Sequence, residues 1–275
     1  MKSKITGGQT QLLFTKKVLN KYEVKYYQCI ETGFIQTEEP YWLSEAYNNV
    51  ITSLDVGLVQ RNLNFAHQVS SIILTNFNDK ETFLDYGAGF GLFVRLMRDR
   101  GFQFFWNDLY AQNILALGFA ASDLKRQHQF ELITAFEVFE HLVDPIQTMK
   151  DMLLRSKHIL FSTELVPQQN DIESWWYILP ETGQHISFYS LKSLQYIADY
   201  FGLNLYSNNK DFHLLTEKSF KHNPLQIKPA NMTQRLYEAW QIINGRKPGQ
   251  SKPSLIGPDY NYILSALNAG EKFND

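Results

Sequence analysis

Four stretches of this chain hold residue types that could do chemistry together. The first is Phe83-Leu84-Asp85-Tyr86-Gly87-Ala88-Gly89-Phe90-Gly91. An acidic residue followed by alternating glycines makes a tight turn that a ligand can approach closely. The second, Phe104-Phe105-Trp106-Asn107-Asp108, ends in a carboxylate. It stands at about the interval after a glycine turn where a ribose-binding acid is expected. The third runs from Phe130 to Pro145 and carries Glu137, Glu140, His141 and Asp144. The fourth is Gly183-Gln184-His185-Ile186-Ser187-Phe188-Tyr189-Ser190. A neutral imidazole such as that of His185 can accept a hydroxyl proton near neutral pH. A dinucleotide fingerprint needs G-x-G-x-x-G. Here the third glycine comes one residue early and Leu92 takes its place, so a pyrophosphate fits poorly.

The elements that must position these residues follow from hydrophobic periodicity. Val59, Leu63, Ala66, Val69, Ile73 and Phe77 recur at three- and four-residue steps, so Leu58 to Phe77 is an amphipathic helix. Strands are expected at Thr82 to Tyr86, Gln103 to Asp108, Glu131 to Ala135 and His158 to Thr163. Two closing strands follow, at Asn204 to Tyr206 and Asp211 to Thr216. Helices alternate with them: Gly91 to Arg100, Pro145 to about Leu154, and one capped by Ser190 that ends near Gly202. Such alternation means an α/β fold with a mostly parallel, doubly wound sheet covered on both faces. Residues 1 to about 60 read as an irregular, aromatic lobe or lid. Past Glu217 the chain is locally basic and broken by prolines, with short helices expected at Met232 to Ile243 and Tyr260 to Leu267. Gly245 to Pro253 reads as a mobile loop.

Taken in order, the motifs resemble those of the class I S-adenosylmethionine-dependent methyltransferases. That family carries L-D-x-G-x-G-x-G after its first strand and an acid after its second. One large subgroup, which includes small-molecule and sugar methyltransferases, adds E-V-x-E-H-L-x-D-P after the fourth. The resemblance covers about residues 58–216. It implies a Rossmann-like sheet of seven strands with an antiparallel closing strand. The chain then divides into an N-terminal lobe (1–57), a cofactor-binding domain (58–216) and a C-terminal helical extension (217–275). The cofactor implied is S-adenosylmethionine. Asp85, Gly87, Ala88 and Gly89 would hold its methionine part and Asp108 its ribose. Leu109 and Tyr110 would flank the adenine, and Ala135 and Phe136 would line the floor beneath the sulfonium. Glu140 and His141 would organise the pocket. In the subgroup, G-x-H-x-x-F-Y/F-S/T sits at the active-site mouth, which makes His185 the candidate base. The C-methylating relatives have Glu before that His. Gln184 stands here instead, so transfer to a hydroxyl is expected.

Tyr26-Tyr27-Gln28-Cys29-Ile30-Glu31-Thr32-Gly33 is similar to half of the zinc ribbon that precedes some sugar methyltransferases. Thr32 stands where the second cysteine belongs, and Cys29 is the only cysteine in the chain. A thiolate zinc site is therefore disfavoured, and no metal ligands are assigned. The lobe tilts the expected acceptor towards sugars or polysaccharide precursors.

The composition agrees with a globular enzyme. Of 275 residues 44% are hydrophobic and 20% charged, and the formal net charge of -2 speaks against a broadly basic nucleic-acid binder. Phe136-Glu137-Val138 also differs from the N/D-P-P-Y of base-methylating enzymes. The first apolar run, Leu12 to Phe14, is too short for a signal-peptide core, and no stretch is apolar enough to span a bilayer. The expected location is cytoplasmic and the expected partner a small molecule or sugar. Two other readings stay open: a non-catalytic protein that binds the same cofactor, and a nucleic-acid methyltransferase. A nicotinamide-dependent dehydrogenase is disfavoured by the glycine spacing.

Overall fold

The computed structural model describes residues 1–48, 54–125, 127–168, 171–226 and 252–269. In chain order its elements begin with β1 (Thr10–Val18), β2 (Tyr22–Cys29), β3 (Ile35–Thr37), α1 (Leu43–Ala46) and α2 (Leu58–Asn76). Next come β4 (Thr82–Tyr86), α3 (Leu92–Asp99), β5 (Gln103–Asn107), β6 (Leu132–Ala135), α4 (Pro145–Leu153) and β7 (His158–Ser162). The described chain closes with β8 (Ser187–Phe188), α5 (Leu191–Phe201), β9 (Asn204–Ser207), β10 (Phe212–Thr216) and α6 (Ile256–Asn268). They fall into two compact units, Met1–Leu54 with Leu132–Leu225, and Asp55–Glu131 with Gln226–Asp275.

In the first unit, β6 pairs parallel with β7, β7 antiparallel with β10, and β10 antiparallel with β9. The closing antiparallel strand expected from the sequence is thus β10. Every residue of β6 and β10 is buried, as strands covered on both faces must be. Two caps set the helices. The Asp144 carboxylate accepts from Gln147 N–H, with Pro145 at the first turn of α4. Ser190 and Ser193 form a reciprocal capping box at α5, and Gly202 ends that helix at φ 67°.

The sequence reading gives residues 1 to about 60 no regular structure. The structure instead places an antiparallel sheet there, ordered β1-β2-β3-β8. Leu19 and Asn20, at φ 52° and 55°, make the turn between its first two strands. Its fourth strand, β8, belongs to the segment after His185. The sheet is therefore joined to that segment: Ile35 pairs with Phe188 and Gln36 with Ser187. A core of Val18, Val24, Tyr26, Ile35 and Trp42 packs with Tyr177, Ile186 and Phe188. Trp42 Nε1–H donates to the Gly183 carbonyl at 2.8 Å.

In the second unit, β4 and β5 are parallel neighbours, with Phe83 opposite Phe104 and Asp85 opposite Trp106. α2 packs against α3. α6 is anchored by Asp259, whose carboxylate takes Arg98 Nη2 at 2.7 Å and Nε at 2.9 Å, and Arg95 Nη2 at 2.8 Å. Arg98 is buried, donates also to the Phe104 carbonyl and lies 3.5 Å over the Phe119 ring. The arginines hold the Asp259 carboxyl below its usual range, although burial pushes it up.

Of strands of this α/β type the described residues carry six, β4 to β7, β9 and β10, against the seven expected. Between β5 and β6 the described residues carry no strand: an isolated bridge joins Trp106 to Ala120, and a turn follows at Ala121–Asp123. The expected helix at Met232 to Ile243 and most of the loop from Gly245 lie outside the described residues. No helix among them is long and apolar enough to cross a membrane.

Candidate functional site

In the second unit, the glycine turn leaves β4 with Gly87, Gly89 and Gly91 at φ 72°, 53° and 88°, a region open to glycine and closed to most side chains. Gly87 N–H and Ala88 N–H both donate to the Asn107 carbonyl, at 2.8 and 3.1 Å. Trp106 Nε1–H donates to the Gly89 carbonyl at 2.7 Å. The two strand ends are thereby clasped together. Asp85, near the end of β4, is buried.

Asp108 does more here than the sequence implies. One carboxylate oxygen accepts Gly89 N–H at 2.9 Å, and the other accepts Tyr110 and Ala111 N–H, each at 2.8 Å. A carboxylate offers about four acceptor positions, and these three amides occupy most of them. One position remains for a ligand hydroxyl, where a ribose offers two. Leu109 and Tyr110 are exposed.

The glycines differ in what surrounds them. A Cβ on Gly91 would stand 3.0 Å from Ala116 Cβ, so Gly91 is there for packing. A Cβ on Gly89 would meet nothing within 4 Å. That open face, beside a turn whose Gly89 N–H is held by the Asp108 carboxylate, leaves room for a bound polar ligand. A cleft of about 410 Å³ in the same unit, between α6 and residues 114–119, contains none of the turn residues. Its charged lining residues Arg95, Asp99 and Asp259 are joined to one another in ion pairs, so the turn is the better candidate site.

In the first unit, the turn Phe139–His141 and the segment Gln184–Tyr189 are stapled to each other four times. Ile186 N–H donates to the Glu140 carbonyl at 2.8 Å, and His141 Nδ1–H to the Gln184 carbonyl at 3.0 Å. Ser187 Oγ donates to Leu142 O at 2.7 Å and Tyr189 OH to Phe139 O at 3.1 Å. His185 Nδ1–H donates to the Tyr177 carbonyl at 2.7 Å. A carbonyl can only accept, so the Nδ1 proton is fixed and Nε2 of His185 carries the lone pair. The His141 and His185 rings meet edge to face, with centroids 4.9 Å apart. Burial pushes the His141 imidazole down to about 4, against the Gln184 carbonyl, which favours the proton. His141 is therefore neutral at neutral pH.

Ala135 is buried at the end of β6, and Phe136 stacks on Phe212 at 5.6 Å. Glu137 follows at φ 56°, a strained conformation for this residue type. Its N–H donates to Ser162 Oγ, and that hydroxyl donates to the Glu137 carboxylate, both at 2.8 Å. Trp175 and Tyr177 pack in the core with Phe188, whereas Trp176 is exposed. Sequence reasoning misses the Tyr177 carbonyl, because a backbone acceptor has no sequence signal. It also misses the Gln184 amide, which donates to the Ala46 carbonyl at 2.9 Å.

At the ribbon-like turn, Cys29 is buried. Gly33 N–H donates to Cys29 O at 2.9 Å and Cys29 N–H to Phe34 O at 2.8 Å, so backbone bonds close the turn. Burial pushes the thiol up, but hydroxyls of Thr32, Ser3 and Thr6 and the Thr32 backbone bring it down to about 7.

Residues 59–208 match the family model described as a methyltransferase domain. No curated protein matches the sequence significantly. Solved structures of similar fold include a methyltransferase of calicheamicin biosynthesis with S-adenosylhomocysteine bound. It is 14% identical with a TM-score of 0.40, over 64% of this chain and 61% of that one. The plantazolicin methyltransferase, in complex with a substrate analogue and S-adenosylhomocysteine, is 12% identical with a TM-score of 0.42, over 64% and 93%. A methyltransferase of Thermotoga maritima is 12% identical with a TM-score of 0.40, over 62% and 97%. The assignment of the chain rests on the family model, which spans more than half of it, and not on these structures.

Proposed function

Because the chain belongs to the methyltransferase-domain family, we propose that it uses S-adenosylmethionine to methylate a hydroxyl of a small molecule or of a sugar or glycan. The observation that carries the cofactor is the glycine turn. Gly87 and Gly89 are held open by Asn107, Trp106 and Asp108, with open space beside Gly89. Asp85, Gly87, Ala88 and Gly89 hold the methionine part, Asp108 contributes to the ribose, and Leu109 and Tyr110 to the adenine. Ala135 and Phe136 keep the role that the resemblance gives them, beneath the sulfonium. When bound, the cofactor supplies an electrophilic methyl group. The protein has to align donor and acceptor, exclude water, and take the hydroxyl's proton.

His185 is the residue for the proton. Its tautomer, held by the Tyr177 carbonyl, leaves the lone pair on Nε2, as a base requires. Gln184 is bonded to Ala46 and cannot relay a proton as a Glu could. That supports transfer to oxygen rather than to carbon. The test is to incubate the chain with methyl-labelled S-adenosylmethionine and panels of hydroxylated small molecules and sugars. The expected product carries the label on oxygen. His185→Ala lowers kcat by about 10²–10⁴-fold, the usual loss for a general base, with cofactor affinity unchanged. Label on carbon, or a loss below about tenfold, contradicts the proposed chemistry.

A further inference from the structure

The first unit contains a group of side chains to which the sequence assigns no metal. We propose that Glu140, His141 and His185 form a binding site for one divalent transition-metal ion. Their potential ligand atoms all lie within 4.8 Å of one another. Corners of a triangle that wide stand about 2.8 Å from its centre. Moving each inward by less than about 1 Å gives the roughly 2.0–2.2 Å bonds that zinc makes to imidazole nitrogen and carboxylate oxygen.

The tautomers suit this use. His141 gives its Nδ1 proton to the Gln184 carbonyl and His185 gives its own to the Tyr177 carbonyl. Metal-binding imidazoles almost always donate their other ring N–H in this way, which fixes the ring and directs the lone pair. Nε2 of His141 stands 3.9 Å from Oε1 of the wholly buried Glu140. Two imidazoles and a carboxyl group thus offer ligand atoms within reach of one another, acceptors that a shared cation holds together. The staples between residues 139–142 and 184–189 keep the two segments in register before any ion arrives. Two nitrogens and one oxygen suit zinc, iron, cobalt or nickel better than magnesium. Three protein ligands leave a position for water or for a substrate oxygen. A bound ion would make His185 a ligand where the proposed function has it as a base. That consequence rests on the hydroxyl-methylation reading, whereas the ion site itself does not.

The test strips the untagged full-length chain with chelator and titrates it with Zn²⁺ by calorimetry. Metal content is then measured after gel filtration. One zinc per chain is expected, with no comparable binding of Mg²⁺. Glu140→Gln, His141→Asn and His185→Asn should each weaken zinc binding at least about tenfold, the lower bound even for residues that only support a ligand. Cys29→Ser should leave it unchanged. Failure of the wild-type chain to bind zinc stoichiometrically overturns the proposal whatever the variants do. So does equal binding after His141 and His185 are both replaced. Titration of the same sample with S-adenosylhomocysteine separates the two readings. Nucleoside binding without zinc binding removes the metal site alone, and zinc binding without nucleoside binding removes the proposed cofactor alone.

Discussion

His213 is wholly buried in β10, with Nδ1 2.9 Å from Ser207 Oγ and Nε2 3.0 Å from the Thr163 carbonyl. Burial pushes its imidazole down to about 4, against the favourable Thr163 carbonyl and the Asp211 charge. An unfolded histidine titrates near 6.5. Between these values the unfolded chain binds more protons than the folded one, so folding loses stability as pH falls. The contribution is complete above about 6.5 and is lost as pH falls towards about 4. At pH 5 the unfolded state gains a factor of about 33 from proton binding and the folded state about 1.1. Their ratio is roughly thirtyfold, or about 2 kcal/mol. Urea unfolding of the wild-type chain and of His213→Gln, each at pH 8 and pH 5, measures it. The variant should be less stable at pH 8, yet its loss between the two pH values should be smaller by about 2 kcal/mol. An identical loss in both proteins would show that His213 titrates normally when folded.

The Asp108 carboxylate ties Gly89, Tyr110 and Ala111, and in the proposed site it also takes a ribose hydroxyl. Asp108→Ala should weaken S-adenosylhomocysteine binding by about 1.5–3 kcal/mol, read by calorimetry; unchanged affinity would remove it from the cofactor site. Asp259→Ala leaves buried Arg98 without its carboxylate. It should destabilise the fold by about 3–5 kcal/mol, seen in thermal unfolding, with partial recovery when Arg98→Met is added. Metal analysis of Cys29→Ser should match the wild-type chain, since the thiol is surrounded by hydroxyls of Ser3, Thr6 and Thr32. A metal lost with this thiol would revive the ribbon.

From Leu58 to Thr216 the helices and the strands other than β8 are legible in the sequence because local signals agree there with the fold. The helix of Leu58 to Phe77 carries a clean stripe, Ser190 and Gly202 mark both ends of α5, and alternating glycines mark the turn after β4. The N-terminal sheet was harder. β1 is half-exposed along its length, so its pattern lacks a dry face. β2 does alternate, with Val24 and Tyr26 buried between exposed Glu23 and Lys25, and Asn20 offers a turn before it. The aromatics scattered on either side of it mask that signal. The pairing of β3 with β8 joins residues far apart in sequence and had no local signature. The candidate site divides likewise. Gly87, Gly89, Asp108 and His185 stand out by type and spacing. The approach of Glu140 and His141 to His185, and the anchoring of α6 by Asp259, depend on contacts between distant segments.

The central claim is that the turn at Gly87 and Gly89 receives S-adenosylmethionine. It is tested most directly by titrating the full-length chain with S-adenosylhomocysteine and, separately, with NAD. The account predicts one S-adenosylhomocysteine per chain and no detectable heat with NAD. Binding of NAD without binding of S-adenosylhomocysteine would contradict it.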